Sequence, residues 1–324
     1  MQNHEIIDRF LNYITAERRY SPLTVRNYMH DIEVFTSWGA STSEEFRLDK
    51  VEGRDLREWL MALSDAKTER GTRQFSAASI NRAMSSIRSL YKYMRREGIV
   101  ESDVFATVKS LRTQKRIPKF ITQQDMVSVV ERVLAQLHSE DWVERRDALL
   151  VLMLYTCGLR LAEIRAIDHD HFDDNYSTLR VLGKGDKERM IPILKRVSAE
   201  IGDYITKNLA ENICTSQEKA LFLSKRGERI SRSDVQRSVA RLLRECGVQG
   251  KCSPHVLRHT FATHLLNDGA DLREIQELMG HSSLRATQVY THSNIAQLRS
   301  IYDVAHPRSG GAASAEKLRK LGEH

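Results

Sequence analysis

The sequence predicts a mainly α protein in two parts, an N-terminal helical domain followed by an α+β domain with one small antiparallel sheet. Three observations lead there. Apolar residues recur at helical spacing through much of the chain. A single glycine-flanked hairpin signal stands near its middle, and a basic stretch without apolar periodicity separates the two parts. The 324 residues suit two domains, and 41% apolar content supports ordinary cores.

In the first part, Ile6, Phe10 and Ile14 fall at helical spacing. Ser21-Pro22 opens a second helix, with serine as cap and proline in the first turn. A third starts near Ser79. Its Ile80, Met84, Ile87, Tyr91 and Met94 share a packing stripe, Arg88, Lys92 and Arg95 share another, and Gly98 ends it. Residues 109–119 (KSLRTQKRIPK) have the composition of a linker, so the first domain is assigned to 1–108.

Thr122, with Asp125 three residues on, caps the next helix. Residues 148–155 are apolar enough that their helix must be buried, and Cys157-Gly158 breaks it. A short helix covers 161–167. Strands are expected over 178–182 and 190–193, around Gly183-Lys184-Gly185-Asp186. Helices return from Ala199. The second domain is assigned to 120–308, and a tail, 309–324, begins with the small residues SGGAAS.

Composition narrows the function. No run of about 18 apolar residues exists, so no membrane span is expected. The start, MQNHEIIDRF, has no apolar signal core, and Cys157, Cys214, Cys246 and Cys252 form no CxxC pair; both suit a reduced, cytoplasmic chain. Net charge is +7, and its placement says more than its size. Residues 76–119 hold ten Lys/Arg, Arg82, Arg88, Lys92 and Arg95 among them, against three acids. Such clustering is the footprint of a polyanion partner, although a solvated helix face beside a basic linker has the same composition.

The residues fit for chemistry lie in the second part. His255 and Arg258 sit three positions apart at a helix start marked by Ser253-Pro254, where an imidazole, a guanidinium and free N–H groups make a phosphate site. An ordinary surface helix carries the same pair. His255 and His259 have metal-pair spacing, but Val256 stands where a metalloprotease has Glu, so no metal is assigned. Arg160 follows the Gly158 break with Glu163 placed to hold its guanidinium; a local ion pair is the plainer reading. Lys184 lies between two hairpin glycines, exposed and able to give up a proton, with Lys187 as a competitor. Tyr290 stands nine residues after Gly280-His281, one of ten tyrosines.

Taken in order, Arg160, Lys184, His255-x-x-Arg258, His281 and Tyr290 resemble the tyrosine recombinases, and in wording the XerC/XerD type. TCGLRLAEI at 156–164 is similar to that family's first arginine box and LGKGDKER at 182–189 to its lysine hairpin. HVLRHTFATH at 255–264, LMGHSS at 278–283 and TQVYTH at 287–292 resemble its later boxes, and AHPR at 305–308 its ending. Residues 21–28 and 80–93 resemble its SAM-like, DNA-clamp domain. The likeness covers nearly the whole chain. It departs in a longer polar segment at 65–75, in Val104 where proline is common, and in the tail beyond Arg308.

The resemblance implies a C-shaped clamp around duplex DNA and no arm-site domain. It implies that Arg160, Arg258 and His281 hold one phosphate, that Tyr290 attacks to give a 3′-phosphotyrosine, and that Lys184 protonates the leaving 5′ oxygen. His255 assists proton transfer and Glu163 orients the site. Arg82, Arg88, Lys92 and Arg95 are expected on DNA. No metal, ATP or other cofactor is implied. Implied partners are recombinase subunits in a homo- or hetero-tetramer and a DNA-translocase activator, and the tail is a segment exchanged between subunits. The expected role is chromosome or plasmid dimer resolution. Integration or inversion of a mobile element would use the same chemistry, and a catalytically silent DNA-binding module is the rival of another class.

Overall fold

The computed structural model describes residues 1–67, 74–112, 120–183, 187–211, 213, 219–267 and 269–280. The chain divides into two units, Met1–Arg116 and Ile117–His324. It is mostly helical, with one small antiparallel sheet among the described residues.

In the first unit, α1 (Asn3–Asn12) runs into a π-helical turn, Tyr13–Glu17, followed by α2 (Pro22–Thr42), α3 (Gly53–Asp65) and α4 (Ala77–Arg96). Ile6, Phe10 and Ile14 are buried, as their spacing requires. Ser21 caps α2, its Oγ accepting the Thr24 N–H at 3.3 Å. Helix α4 begins two residues earlier than its composition suggests, because Ser76 Oγ caps it by accepting the Ser79 N–H at 3.1 Å. The expected stripe from Ile80 to Met94 is buried. Sequence reading passes over α3, although Leu56, Trp59, Leu60 and Leu63 stand at i, i+3, i+4 and i+7 and form its buried face. The unit also buries a carboxylate. Asp31 accepts hydrogen bonds from Arg82 Nη2 and Ser86 Oγ, each at 2.8 Å.

The second unit is arranged on α6 (Trp142–Thr156), whose residues Ala148 to Tyr155 are at most 1% exposed. An all-round apolar helix has no solvent face, so it must be covered on every side. α5 (Gln123–Leu137), α8 (Lys195–Ala210), α9 (Arg232–Glu245) and α10 (Pro254–Asn267) pack against it. The short α7 (Leu161–Arg165) follows the Gly158 break, and α11 (Leu272–Leu278) follows α10. Strands β1 (Thr178–Leu182) and β2 (Glu188–Pro192) pair antiparallel, Val181 opposite Arg189. β2 starts two residues earlier than expected and so takes in Arg189. Strand alternation turns Arg189 inward with Ile191.

The first residues after the basic stretch are fastened to α10. The Ile121 N–H donates to Thr260 Oγ1 at 3.0 Å, and His264 Nε2 lies 2.9 Å from the Ile121 carbonyl. A carbonyl can only accept, so Nε2 carries the proton and Nδ1 accepts from the Tyr155 hydroxyl at 3.0 Å. His264 is wholly buried, and burial lowers its pKa to about 4, the Ile121 hydrogen bond opposing only in part.

That depression sets a sign. As pH falls, the unfolded imidazole takes up a proton near 6.5 while the folded one stays neutral until about 4. Stability from this site is fully present above 6.5 and is lost between the two values, at about 1.4 kcal/mol per pH unit. We expect His264→Gln to be less stable at pH 7.5 yet to lose roughly 2 kcal/mol less than the unsubstituted chain on going to pH 5. Urea unfolding of both proteins at the two pH values checks this; equal losses would remove His264 from the account.

Candidate active site

Three segments converge on one carboxylate. Arg160 stands at the N-cap of α7, and Glu163, three residues on, reaches back so that its Oε2 accepts the Arg160 N–H at 2.7 Å. Its Oε1 accepts from Arg160 Nη1 at 2.7 Å. From β2, Arg189 grips the same carboxylate with both fork nitrogens, Nη1 to Oε1 and Nη2 to Oε2, each at 2.9 Å. From α10, Arg258 Nη1 lies 3.7 Å from Oε2. Three guanidinium groups thus share a buried Glu163.

Backbone carbonyls hold the arginines from the other side. Arg189 Nε donates to Leu278 O at 3.1 Å, Arg258 Nη2 to Met279 O at 2.6 Å, and Arg160 Nη2 to Gly280 O at 3.3 Å. These are three successive carbonyls at the end of α11, where the helix leaves its carbonyls unpaired and its dipole favours cations. Arg258 Nη1 takes a fourth, Gly158 O. Two glycines make the approach possible. Gly280 has φ 71°, and a Cβ there would lie 3.2 Å from Arg189 Nη1 and 3.3 Å from Arg160 Nη1. Gly158 has φ 57°, and its Cβ would meet Phe261 Cδ1 at 2.5 Å.

The electrostatics follow. Burial alone would raise the Glu163 pKa, but the hydrogen bonds and charge of Arg189, with those of Arg160, hold it down at about 2. Burial, and then the neighbouring Arg160, lower the Arg258 pKa to about 10, partly opposed by Glu163. Glu163 and Arg258 are therefore charged at neutral pH, and with the permanently cationic guanidinium groups beside them the cluster carries a net positive charge suited to a phosphate. Each guanidinium has five N–H groups. Among the described residues, the bonds named above leave three unused on Arg160 and three on Arg258.

Of the residues singled out from sequence, Arg160, Glu163 and Arg258 come together. Arg258 is buried, where an ordinary surface helix would expose it; the Gly158 turn and the end of α11 cover it. His255 is exposed on the first turn of α10. Lys184, His281 and Tyr290 lie outside the described residues, as does the tail. Arg189 was missed. Its signal was a charged residue at an inward strand position, Arg189 alternating with Ile191 across Met190.

The basic stripe belongs to the first unit. Arg82, Arg88, Lys92 and Arg95 are exposed on α4. Arg82 is partly engaged by Asp31. Arg88 lies over the Phe105 ring at 5.0 Å, and Arg95 lies 3.6 Å from Asp103. Lys92 has no charged partner among the described residues.

Comparison with known proteins agrees across both units. Residues 120–297 match the phage integrase family, and residues 7–98 match the phage integrase N-terminal SAM-like domain. The tyrosine recombinase XerC of Alcanivorax borkumensis is 35% identical over 94% of this chain and 94% of its own. The XerH site-specific recombinase, solved as a post-cleavage complex on difH DNA, superposes with TM-score 0.66 at 21% identity, covering 87% of this chain and 80% of that one. A lambda integrase tetramer on a Holliday junction gives 0.62 at 19%, covering 87% and 78%. These two likenesses are of fold.

The Gly158 contact yields a test. Alanine there must hold a left-handed backbone and push Phe261, one turn beyond Arg258. Gly158→Ala is expected to cost roughly 2–4 kcal/mol. Denaturant unfolding measures it, and an unchanged midpoint would show that the turn tolerates a side chain.

Proposed function

Because this chain belongs to the phage integrase family and is a tyrosine site-specific recombinase of the Xer kind, we propose that it cuts and rejoins duplex DNA at the cluster centred on Glu163. The observation that carries the reading is that Arg160 and Arg258 are both fixed by protein acceptors and, among the described residues, both keep unused N–H donors. Donors fixed before the reaction stabilise the added charge of a pentavalent phosphorane without reorganising during it.

In this scheme Arg160 and Arg258 bind the nonbridging oxygens of one phosphate, and His281 adds a third donor. The Tyr290 oxygen attacks phosphorus, forming a 3′-phosphotyrosine as the bond to the 5′ oxygen breaks. Lys184 delivers a proton to that oxygen, and His255, exposed beside the site, assists removal of the phenolic proton. Glu163 orients Arg160. Attack by a 5′ hydroxyl of another strand reverses the step, and the bond energy is kept in the phosphotyrosine.

The domain roles follow the same reading. Residues 1–108 clamp DNA, 109–119 link, 120–308 catalyse, and 309–324 pass to a neighbouring subunit. Four recombinase subunits, alike or of two kinds, meet at synapsis; the tetramer of lambda integrase on a Holliday junction supports this. The role is resolution of chromosome or plasmid dimers in the cytoplasm, with a DNA translocase as activator. Integration or inversion of a mobile element would use the same steps.

Covalent junctions trapped on genomic DNA of the source organism test the chemistry and reveal the site. Tyr290→Phe should bind that site with unchanged affinity and form no adduct; an adduct persisting in the variant would move the nucleophile elsewhere. The clamp is tested by salt. Replacing Arg88 and Lys92 by Ala should flatten the slope of log K against log salt by about 0.9 for each lost contact, so by about 1.8 together. An unchanged slope would place the DNA on another face.

A further inference from the structure

Arg189 is buried among apolar residues, at 7% exposure, although it is a permanently charged side chain. Its inward position costs desolvation, so its bonds must return something. Three of its five N–H groups are committed, two to the Glu163 carboxylate and one to the Leu278 carbonyl. Both of its terminal nitrogens are taken by one carboxylate, whereas Arg160 divides its own between Glu163 and the Gly280 carbonyl. Its nearest neighbours are the parts of the site itself. Glu163 Oε1 is shared between Arg189 Nη1 and Arg160 Nη1, at 2.9 and 2.7 Å. Leu278 is the first of the three carbonyls whose next two hold Arg258 and Arg160. Gly183, at the base of the hairpin, would put a Cβ 3.5 Å from Arg189 Nη1, and its N–H donates to Lys187 O at 2.8 Å.

We propose that Arg189 is a positioning residue for the strand-transfer site, holding the Glu163 carboxylate and the end of α11 together so that the free N–H groups of Arg160 face the phosphate. The inference rests on the reading of Arg160 as a phosphate ligand. A lysine at 189 keeps the charge but has no planar fork and cannot make two parallel bonds to Glu163 while also reaching Leu278. Freed on one side, Glu163 and Arg160 can swing as a pair, and displacement of a positioning group by about 1 Å is enough to cost about 100-fold in rate.

A second consequence separates positioning from simple support of the fold. The charged groups facing Glu163 among the described residues are Arg160 from the N-cap of α7, Arg189 from β2 and Arg258 from α10; the Cys157 thiol also lies near Arg189. Arg189 is the largest influence opposing burial of the carboxylate. Without it, burial is poorly opposed and the carboxyl takes up a proton as pH falls. Protonated Glu163 holds Arg160 less firmly, so the rate should fall with it.

The test uses the full chain and a nicked duplex carrying the site mapped from its own covalent junctions. Arg189→Lys, Arg189→Met and the double variant Arg189→Met with Glu163→Gln are compared for melting temperature, duplex affinity and rate of adduct formation from pH 5.5 to 8.5. Arg189→Lys should fold, bind within about twofold and cleave about 100-fold more slowly. Arg189→Met should also show an acid limb within this range, which the double variant, lacking a titratable group at 163, should lose while staying slow. If Arg189→Met does not fold, the lysine variant still decides, since it keeps a cation beside Glu163. Adduct formation by Arg189→Lys at the unsubstituted rate across this pH range would overturn the proposal. Failure of the unsubstituted chain to form any adduct would instead overturn the recombinase chemistry on which it rests.

Discussion

A single carboxylate holds the site together. Three like charges gathered at hydrogen-bonding range around one point repel by several kcal/mol even at an effective dielectric constant of about 20. Glu163 supplies the opposite charge, and the carbonyls of Gly158, Leu278, Met279 and Gly280 supply oriented dipoles. The balance is deliberately incomplete, because one negative charge faces three positive ones. In the proposed reaction an entering phosphodiester would lower the excess from two positive charges to one, which is the electrostatic preference that phosphoryl transfer needs. Neutralising Glu163 would leave the arginines pushing one another apart, and adding a second acid would weaken the attraction for DNA.

The rest of the second unit brings the contributors of that cluster to one place. The apolar α6 must be covered all round, and the helices that cover it include α10, the bearer of Arg258. The break after α6 at Gly158 both frees the chain to start α7 at Arg160 and presents a carbonyl to Arg258. The hairpin delivers Arg189 by strand alternation, and α11 ends with its unpaired carbonyls toward the arginines. None of these elements makes the site alone. Their sequence separations, from three residues for Arg160 and Glu163 to 120 for Arg160 and Gly280, explain why only a folded unit has it.

Much of this was legible in the sequence, for reasons that differ by residue. The stripes of α1 and α4, the Ser21 cap and the buried α6 follow from periodicity and local chemistry, which do not depend on distant partners. Arg160 and Glu163 were readable because their bond is local, three residues apart. The depth of Arg258 was not, since its cover comes from segments remote in the chain. Helix α3 was passed over although its apolar spacing is regular; polar and charged residues surround its four buried positions and dilute the signal. Arg189 was hidden by its neighbours, sitting among charged residues that look like a solvated hairpin, when its inward register is what distinguishes it.

The fastening of Ile121 to α10 bears on how such a chain may be recombined with others at the level of its own gene. Thr260 Oγ1 accepts the Ile121 N–H and His264 Nε2 donates to the Ile121 carbonyl, and both side chains are wholly buried. A chimera that grafts a foreign N-terminal unit therefore keeps both bonds unaltered when it is spliced before Phe120. A junction placed a few residues later keeps these bonds only where the foreign chain sets a non-proline backbone in the same place; otherwise two interior side chains lose their partners and the helix from which Arg258 projects is loosened. The permissible seam between modules is set by the last backbone group that the recipient has already claimed, and the basic stretch upstream is the interchangeable part.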